Sequence, residues 1–219
     1  MNLLALETAT EACSVALLAD SRVLVRHAIT PQGHTQHLLP MVHELCAEAG
    51  LGLASLEGLA VGIGPGAFTG VRIACAVAQG LALAVGVPIA PVSTLAAVAR
   101  GGWRLTGGHE WLVAMDARRA EVYWATGTVD PAGERVSWRT EARVDAPTQV
   151  RAPAVARWNI AGSGWQAHGA VLPVPTTGAA SALIHPHAED VLALGRAMLE
   201  AGQGVAPEDL APVYLRAPL

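Results

Sequence analysis

Two glycines flank a proline in Gly64-Pro65-Gly66, between an apolar run and a stretch of small residues that ends near Val85. Glycine adopts positive φ angles readily and proline fixes its own φ, so the triplet predicts a tight strand-to-helix turn. We expect Thr69 at the N-cap and Gly70 at the helix start. Free backbone N–H groups at such a start often hold a phosphate. A P-loop requires a lysine, however, and all 14 basic residues are arginine, so a turn that only positions the helix is the simpler interpretation.

The order of predicted strands and helices indicates the fold class. We predict strands over 2–6, 13–18 and 23–29, a helix over 34–49, a strand over 59–63, a helix over 70–85, a strand over 87–90 and a short helix from Ser93 to Arg100. This is the ribonuclease H-like order of an α/β fold. After Gly101-Gly102 the pattern restarts with strand, turn and strand over 112–128, and a further strand is predicted over 135–144. We therefore predict a first lobe over 1–100 with βββαβα order and a smaller second lobe over 101–219. The helix over 187–202 is expected to pack back on the first lobe.

Two polar turns of the same type follow a predicted strand in each lobe. A doubled strand–turn–strand module is typical of actin-like ATPases, where each turn binds phosphate and an Asp orders Mg²⁺. Here Glu7 replaces the first Asp, and the second turn, Ala117-Arg118-Arg119-Ala120, carries side chains where glycines are needed. We interpret the pair as a degenerate nucleotide site that binds no ATP by itself, although Arg118 or Arg119 could still meet an anion. Its residues are Glu7, Thr8, Thr10, Asp116 and Arg118.

Other reactive side chains lack the spacing that catalysis or metal binding needs. His34 and His37 lie three apart, whereas helical zinc ligands prefer a spacing of four and a third ligand. Gly162-Ser163-Gly164 is too short for the G-x-S-x-G motif of serine hydrolases. The three cysteines lie in apolar runs, which favours buried, inert thiols. We therefore predict no metal ion and no cofactor.

Composition restricts the partners and the compartment. The chain has 219 residues, a net charge of −4 and no more than two consecutive arginines, so a basic face for gripping RNA alone is not predicted. Three cysteines without C-x-x-C spacing favour a reducing cytoplasm. The first residues lack the basic region of a signal peptide. The apolar stretch over 73–85 is broken by Gln79 and is expected to be too short to cross a bilayer.

The predicted helix over 70–85 is unusual in its small side chains. It carries Gly80 and five alanines, at positions 74, 76, 78, 82 and 84. Arg72 and Gln79 lie seven residues apart, and therefore on one face with Ala76 and Leu83. Such a helix is either buried in the core or a surface for a partner, and the spacing alone does not separate the two.

Five blocks, in this order along the chain, resemble the TsaB (YeaZ) family. They are Glu7 to Ala16, His34-Thr35-Gln36 with Leu38-Leu39-Pro40, Gly64 to Ile73, Met115 to Arg118 with Glu121-Val122-Tyr123, and Pro212 to Arg216. The resemblance covers essentially the whole chain, and the glycine block is its most specific part. Glu7 departs from the usual Asp of this family, and Ala67 from the usual Ser.

The resemblance implies a non-catalytic subunit in the synthesis of N6-threonylcarbamoyladenosine (t6A) in tRNA. It implies pairing with the catalytic paralogue TsaD, and also with itself, through the helices over 34–49 and 70–85. The small ATPase TsaE would join the complex, and tRNA would be met only through it. The interface residues expected on these helices are Leu38, Leu39, Met41, Val42, Leu45, Arg72, Ala76, Gln79 and Leu83. The alternative functions are an autonomous actin-like ATPase and a glycoprotease-type peptidase.

Overall fold

The chain divides into two compact units. A computed structural model describes residues 1–154, 157–172, 178 and 180–216. Unit 1 comprises Met1–Thr94 and His187–Val213, and unit 2 comprises Leu95–Pro186 and Tyr214–Leu219. The division therefore falls at Thr94 rather than at residue 100, and the segment from His187 returns to the first unit.

The described residues contain ten strands and five α-helices. The strands are β1 (Leu3–Glu7), β2 (Ala12–Ala19), β3 (Arg22–Ile29), β4 (Gly58–Gly62), β5 (Ile89–Val92), β6 (Glu110–Asp116), β7 (Val122–Val129), β8 (Val136–Trp138), β9 (Arg143–Asp145) and β10 (Asn159–Ala161). The helices are α1 (His34–Ala49), α2 (Phe68–Val85), α3 (Thr94–Thr106), α4 (Ser163–His168) and α5 (Ala188–Glu200).

Unit 1 is built on a five-stranded mixed sheet in the order β3-β2-β1-β4-β5. The first three strands form an antiparallel meander, while β4 pairs parallel with both β1 and β5. Along the chain, the elements of unit 1 begin in the order βββαβα. The predicted ribonuclease H-like arrangement of an α/β fold is confirmed.

The two faces of this sheet differ in side-chain size. Because successive residues of a strand point to opposite faces, Leu4 and Leu59 join the core cluster that also holds the inner sides of α1 and α2. On the other face, α5 packs against β1 and β4, where Ala60 and Ala90 lie next to Gly195. A Cβ atom on Gly195 would lie 2.3 Å from the Cβ of Ala60, so the small side chains allow a close approach of α5.

Unit 2 repeats the opening of unit 1 in a shorter form. β6 pairs antiparallel with β7 and parallel with β10, as β1 pairs with β2 and β4. β8 and β9 both pair with β7, at its two ends. The doubled module is that of the actin-like ATPase fold.

Three local predictions differ from the structure. α2 begins at Phe68 with Ala67 as its N-cap residue, so Thr69 lies in the first turn and is not the cap. The strand predicted over 135–144 is two short strands, because eight-residue β7 pairs with β8 at one end and with β9 at the other. The six-residue helix α4 was not predicted, since it is too short to show helical periodicity.

Candidate functional site

The carboxylate of Glu7 is fully buried at the end of β1. Its Oε1 accepts a hydrogen bond from Ala9 N at 2.6 Å, and its Oε2 accepts one from Thr94 Oγ1 at 3.3 Å. A Cβ atom on Gly62 would lie 2.0 Å from Oε2, so only glycine fits at this position of β4, next to the carboxylate. Burial raises the pKa of Glu7 to about 7, and the hydrogen bonds from Ala9 and Thr94 oppose that rise.

The Thr8-Ala9 turn packs directly on the glycine turn before α2. Thr8 Oγ1 donates a hydrogen bond to Gly70 O at 2.7 Å, and Ala67 N donates one to Ala9 O at 2.8 Å. A Cβ atom on Gly66 would lie 2.5 Å from Ala9 O, and one on Gly70 would lie 2.0 Å from Thr8 O. These glycines therefore allow two stretches of the protein's own backbone to touch. One N–H that was expected to be free for a phosphate is used within the chain.

Gly64 and Thr94 fix the other end of the glycine turn. Gly64 adopts a φ of +99°, donates its N–H to Thr94 Oγ1 at 3.1 Å and accepts from Thr94 N at 2.9 Å, and the Gly64–Pro65 peptide bond is cis. The Thr94 hydroxyl thus connects the turn to Glu7. Thr94 was not among the predicted site residues, because the helix was expected to start at the neighbouring Ser93 and nothing in the sequence links Thr94 to Glu7.

Thr10 and His34 have structural roles. Thr10 Oγ1 accepts a hydrogen bond from Ala12 N at 3.2 Å, and the ring Nε2 of buried His34 lies 2.8 Å from Thr10 O. His37 is exposed, so the two histidines point into different environments. Within the ranges that the structure describes, no group of three or more His, Cys, Asp or Glu side chains could hold a metal ion.

The second polar turn carries the other predicted site residues. Asp116 Oδ1 accepts from Arg118 N at 3.0 Å and lies 3.3 Å from His168 Nε2, while its Oδ2 lies 3.3 Å from Arg118 Nη1. Asp116 N donates to Ser163 Oγ at 3.0 Å. Asp116 and Arg118 are therefore brought together as predicted neighbours. His168 and Ser163 join them from α4, and no sequence signal connected them to this turn.

The outer side of α2 is an apolar stripe with one charge. Phe68, Arg72, Ala76 and Leu83 are exposed along it, Phe68 by 56% and Leu83 by 73%. The Arg72 guanidinium lies 3.3 Å from the centroid of the Phe68 ring, so the cation covers an aromatic face. We call the exposed residues Phe68, Arg72, Ala76, Gly80 and Leu83 the α2 stripe.

Four residues predicted at an interface are engaged within unit 1. Leu38, Val42 and Leu45 are at most 1% exposed because the apolar stripe of α1 faces the sheet, so assigning them to a partner was wrong. Gln79 Nε2 donates to Pro207 O and Leu210 O, which holds the C-terminal segment of unit 1 on α2.

Leu39 and Met41 complete the predicted interface on α1. Leu39 is 41% exposed, whereas Met41 is half-buried and packs against the core cluster. The surface of α1 therefore offers less apolar area than its sequence suggested.

A shallow groove adjoins the C-terminal end of the α2 stripe. It encloses about 400 Å³, and Leu83, Val87, Pro88, Val205 and Pro207 are among the residues that line it. Its lining is largely apolar, so it extends the apolar surface beyond Leu83.

The three cysteines are buried and free. Burial raises the pKa of Cys13 to about 11 and, together with the charge of Glu7, that of Cys75 to about 12. Burial also raises the pKa of Cys46. These thiols are therefore protonated near neutral pH, whereas a cysteine nucleophile acts as the thiolate.

Helix α2 is long and apolar enough, by length and composition alone, to cross a membrane. It has 18 residues and a mean hydropathy of 1.6, and it begins five residues before the apolar stretch over 73–85 that was expected to be too short. The indication of a membrane span is weak, because a helix with one face in a folded core passes the same test. Ala74, Ala78 and Ala82 form such a face.

Known proteins match this chain over nearly its whole length. The family model described as TsaD, tRNA N6-adenosine threonylcarbamoyltransferase, matches residues 26–211. The tRNA threonylcarbamoyladenosine biosynthesis protein TsaB of Escherichia coli (strain K12) is 41% identical over 99% of this chain and 95% of its own length. The TsaB of Haemophilus influenzae is 35% identical over 99% of this chain and 94% of its own length.

Two solved structures from Pseudomonas aeruginosa share the fold throughout. One is described as YeaZ; it has a TM-score of 0.92 and 43% identity over 98% of this chain and 99% of its own. The other is described as an uncharacterized protein with similarity to peptidase YEAZ, with the same TM-score and coverage and 44% identity. Together with the matched blocks and the doubled strand–turn–strand module, these similarities establish that the chain belongs to the TsaB (YeaZ) family.

Proposed function

We propose that this protein is a non-catalytic subunit of the machinery that synthesises t6A in tRNA. In this role it pairs with a TsaD-type catalytic subunit, works with the ATPase TsaE in the cytoplasm and forms a homodimer when alone. Its TsaB relatives are named as tRNA threonylcarbamoyladenosine biosynthesis proteins, which supports this role. The free cysteines suit a reducing compartment.

The packing around Glu7 carries the non-catalytic part of the proposal. A Mg²⁺–nucleotide site needs carboxylate oxygens open to the metal and backbone N–H groups open to phosphate. Here the carboxylate of Glu7, at the end of β1, is fully buried, and both of its oxygens accept hydrogen bonds within the protein. The turn beside it is packed against Gly66 and Gly70. Unit 1 thus keeps the shape of a phosphate-binding module, while its Glu7 carboxylate is closed to a metal ion.

The α2 stripe is the surface proposed for the catalytic subunit. Small side chains at Ala76 and Gly80 permit close helix–helix packing, and the flanking Phe68 and Leu83 supply apolar area that water otherwise covers. Arg72 lies over Phe68 and would be the charged contact within this patch. Leu39, which is exposed on α1, would extend the same contact area.

Reconstitution tests the proposed function. The purified chain alone should form no t6A, and it should restore modification of a tRNA transcript when mixed with TsaD, TsaE and threonylcarbamoyl-adenylate. The variant Ala76→Arg should lose both pairing with TsaD and this activity, because a long charged side chain would enter the close helix contact. Ala132→Arg adds the same charge at an exposed turn of unit 2 and should behave as the wild type.

Two outcomes would contradict the proposal. Normal pairing by Ala76→Arg would show that the α2 stripe is not the interface. Tight Mg·ATP binding by the lone chain in calorimetry, abolished in Asp116→Ala, would favour an autonomous actin-like ATPase instead.

A further inference from the structure

The net charge of −4 hides a strong asymmetry between the two units. Unit 2 contains ten of the fourteen arginines and seven of the eighteen acidic residues, so its formal charge is +3. Unit 1 contains the remaining four arginines and eleven acids, which gives −7. A basic unit in a chain of negative net charge is a pattern that attracts polyanions to that part of a protein.

The turn between β6 and β7 presents the basic residues of unit 2 on a fixed backbone. We call residues 117–121 the arginine turn. Arg118, Arg119 and Ala120 have φ angles of +60°, +55° and +56°, which L-amino acids rarely adopt in succession. The turn is closed by hydrogen bonds between Ala117 and Glu121 and between Glu121 N and Arg118 O. The Arg216 side chain also bonds to Ala117 O and to Glu121.

In two ion pairs at this turn the arginine reaches further into solvent than its acid, whereas Arg216 and Glu121 are exposed to similar extents. The Arg118 side chain is 72% exposed, against 19% for its partner Asp116. Arg143 is 62% exposed against 21% for Asp145, and β9 places this pair beside the turn, where Asp145 faces Val122. Arg119 is exposed, and its guanidinium has no ion pair or hydrogen bond to another described residue. The outer charge of each of these two pairs, and of exposed Arg119, is therefore positive.

We propose that the arginine turn, with Arg143 beside it, contacts the phosphodiester backbone of the RNA on which the complex acts; this rests on the proposed function. An exposed guanidinium gains little from a single anion in water, because solvent and salt screen the attraction. A polyanion differs, because each arginine that neutralises a phosphate releases condensed counterions and several such contacts add. Separated, exposed arginines on a rigid turn therefore suit an RNA strand better than a free phosphate.

The salt dependence of RNA binding tests this assignment. The full chain in complex with TsaD is titrated with an unmodified tRNA transcript at several salt concentrations. Arg119→Gln should weaken binding about three- to tenfold near 0.1 M salt and make the slope of log K against log salt shallower by roughly 0.7–0.9. Arg119→Lys, which keeps the charge, should restore both. Because the Arg119 side chain is exposed and makes no ion pair or hydrogen bond with the part of the chain that the structure describes, the thermal stability of both variants should be unchanged.

A matched control separates a local contact from general charge. Arg22→Gln removes the same charge from an exposed position of acidic unit 1 and should leave binding unchanged. Equal effects of Arg22→Gln and Arg119→Gln, or no effect of Arg119→Gln, would overturn the assignment. Stronger competition by inorganic phosphate than by chloride at equal ionic strength would overturn it in favour of a single-anion site. Failure of the wild-type chain to support t6A formation would instead refute the proposed function itself.

Discussion

The two strand–turn–strand modules of this protein end their first strand on an acid, yet the two acids have opposite surroundings. Glu7 is fully buried, and glycines of unit 1 bring backbone against its turn from the other side. Asp116 keeps part of its surface in water, and its turn carries two exposed arginines. In unit 1 the turn after Glu7 is packed against backbone, and we call these contacts the packed joint. In unit 2 the turn after Asp116 lies at the surface.

The difference lies in what approaches each turn. In unit 1 a second loop, Gly64 to Gly70, is close enough to exchange hydrogen bonds with Thr8 and Ala9. In unit 2 the neighbouring contributions are side chains, from Ser163 and His168. Where backbone packs on backbone, a substitution that adds a side-chain atom creates a clash. Where side chains make the contact, they can move to accommodate a substitution. The predictions below follow from this contrast.

The largest effect is expected at the glycines of the packed joint. In Gly70→Ala the new Cβ would lie 2.0 Å from the carbonyl oxygen of Thr8, which is backbone and cannot rotate away. We expect a loss of about 4 kcal/mol in the free energy of unfolding, because both turns must shift and the hydrogen bond from Thr8 Oγ1 is strained. Urea unfolding followed by far-ultraviolet circular dichroism measures this.

Gly80→Ala is the matched control in the same helix. Nothing lies within 4 Å of a Cβ atom at Gly80, so the substitution should stabilise the protein by about 0.5–1 kcal/mol through helix propensity. If Gly70→Ala were tolerated as well as Gly80→Ala, the turns would not be packed as described.

The next effect concerns the buried carboxylate. Because the pKa of Glu7 is about 7 in the folded state and about 4.5 when unfolded, the folded protein binds more protons between these values. Its contribution is therefore most favourable below pH 4.5 and is lost as the pH rises through 7, by at most about 3 kcal/mol. Glu7→Gln should remove this loss, so that the variant is about 2–3 kcal/mol more stable than the wild type at pH 8 and no more stable at pH 4.

Asp116→Asn provides the comparison from the second turn. The amide oxygen can still accept from Arg118 N, and the ion pair that is lost is exposed on the arginine side. We expect a change below about 1 kcal/mol at pH 8. Chemical unfolding of both variants from pH 4 to 8 measures the difference, and an equal response at the two positions would contradict the distinction between joint and surface.

Regular periodicity made much of unit 1 predictable. The α1 pattern gave both ends of the helix, since its apolar stripe stops where Gly50 adopts a φ of +67°. The αβ order also followed from strand lengths and turn residues. The sequence did not show whether the apolar stripe of α1 faces the core or a partner, because Leu38, Val42 and Leu45 suit both equally well on composition alone.

Contacts between residues that are far apart along the chain could not be predicted from the sequence. The Thr94–Glu7 hydrogen bond spans 87 positions and depends on how β5 lies in the sheet. His168 meets Asp116 only because β10 pairs with β6 and delivers α4 to that edge. The Gly64-Pro65-Gly66 segment was predicted to be a turn, but its close packing on Thr8 and Ala9 is seen only in the three-dimensional structure.

The smallest effect expected is a gain in stability at the arginine turn. Ala120 has a φ of +56° and is exposed, and a left-handed conformation costs an L-residue about 1–2 kcal/mol relative to its usual one. Glycine lacks this cost but loses more entropy on folding, so Ala120→Gly should stabilise unit 2 by about 0.5–1 kcal/mol. Ala76→Gly, in a right-handed helix, should destabilise unit 1 by a similar amount.

Tryptophan fluorescence suits the Ala120→Gly measurement, because all six tryptophans lie between residues 103 and 165 and therefore report on unit 2. A destabilised Ala120→Gly variant would show that the turn is not held in the left-handed conformation. A stabilised variant that also binds tRNA less well would connect the two properties, because a more flexible turn fixes Arg119 less firmly for a phosphate. The strained backbone would then be retained for the position that it gives to the arginine rather than for stability.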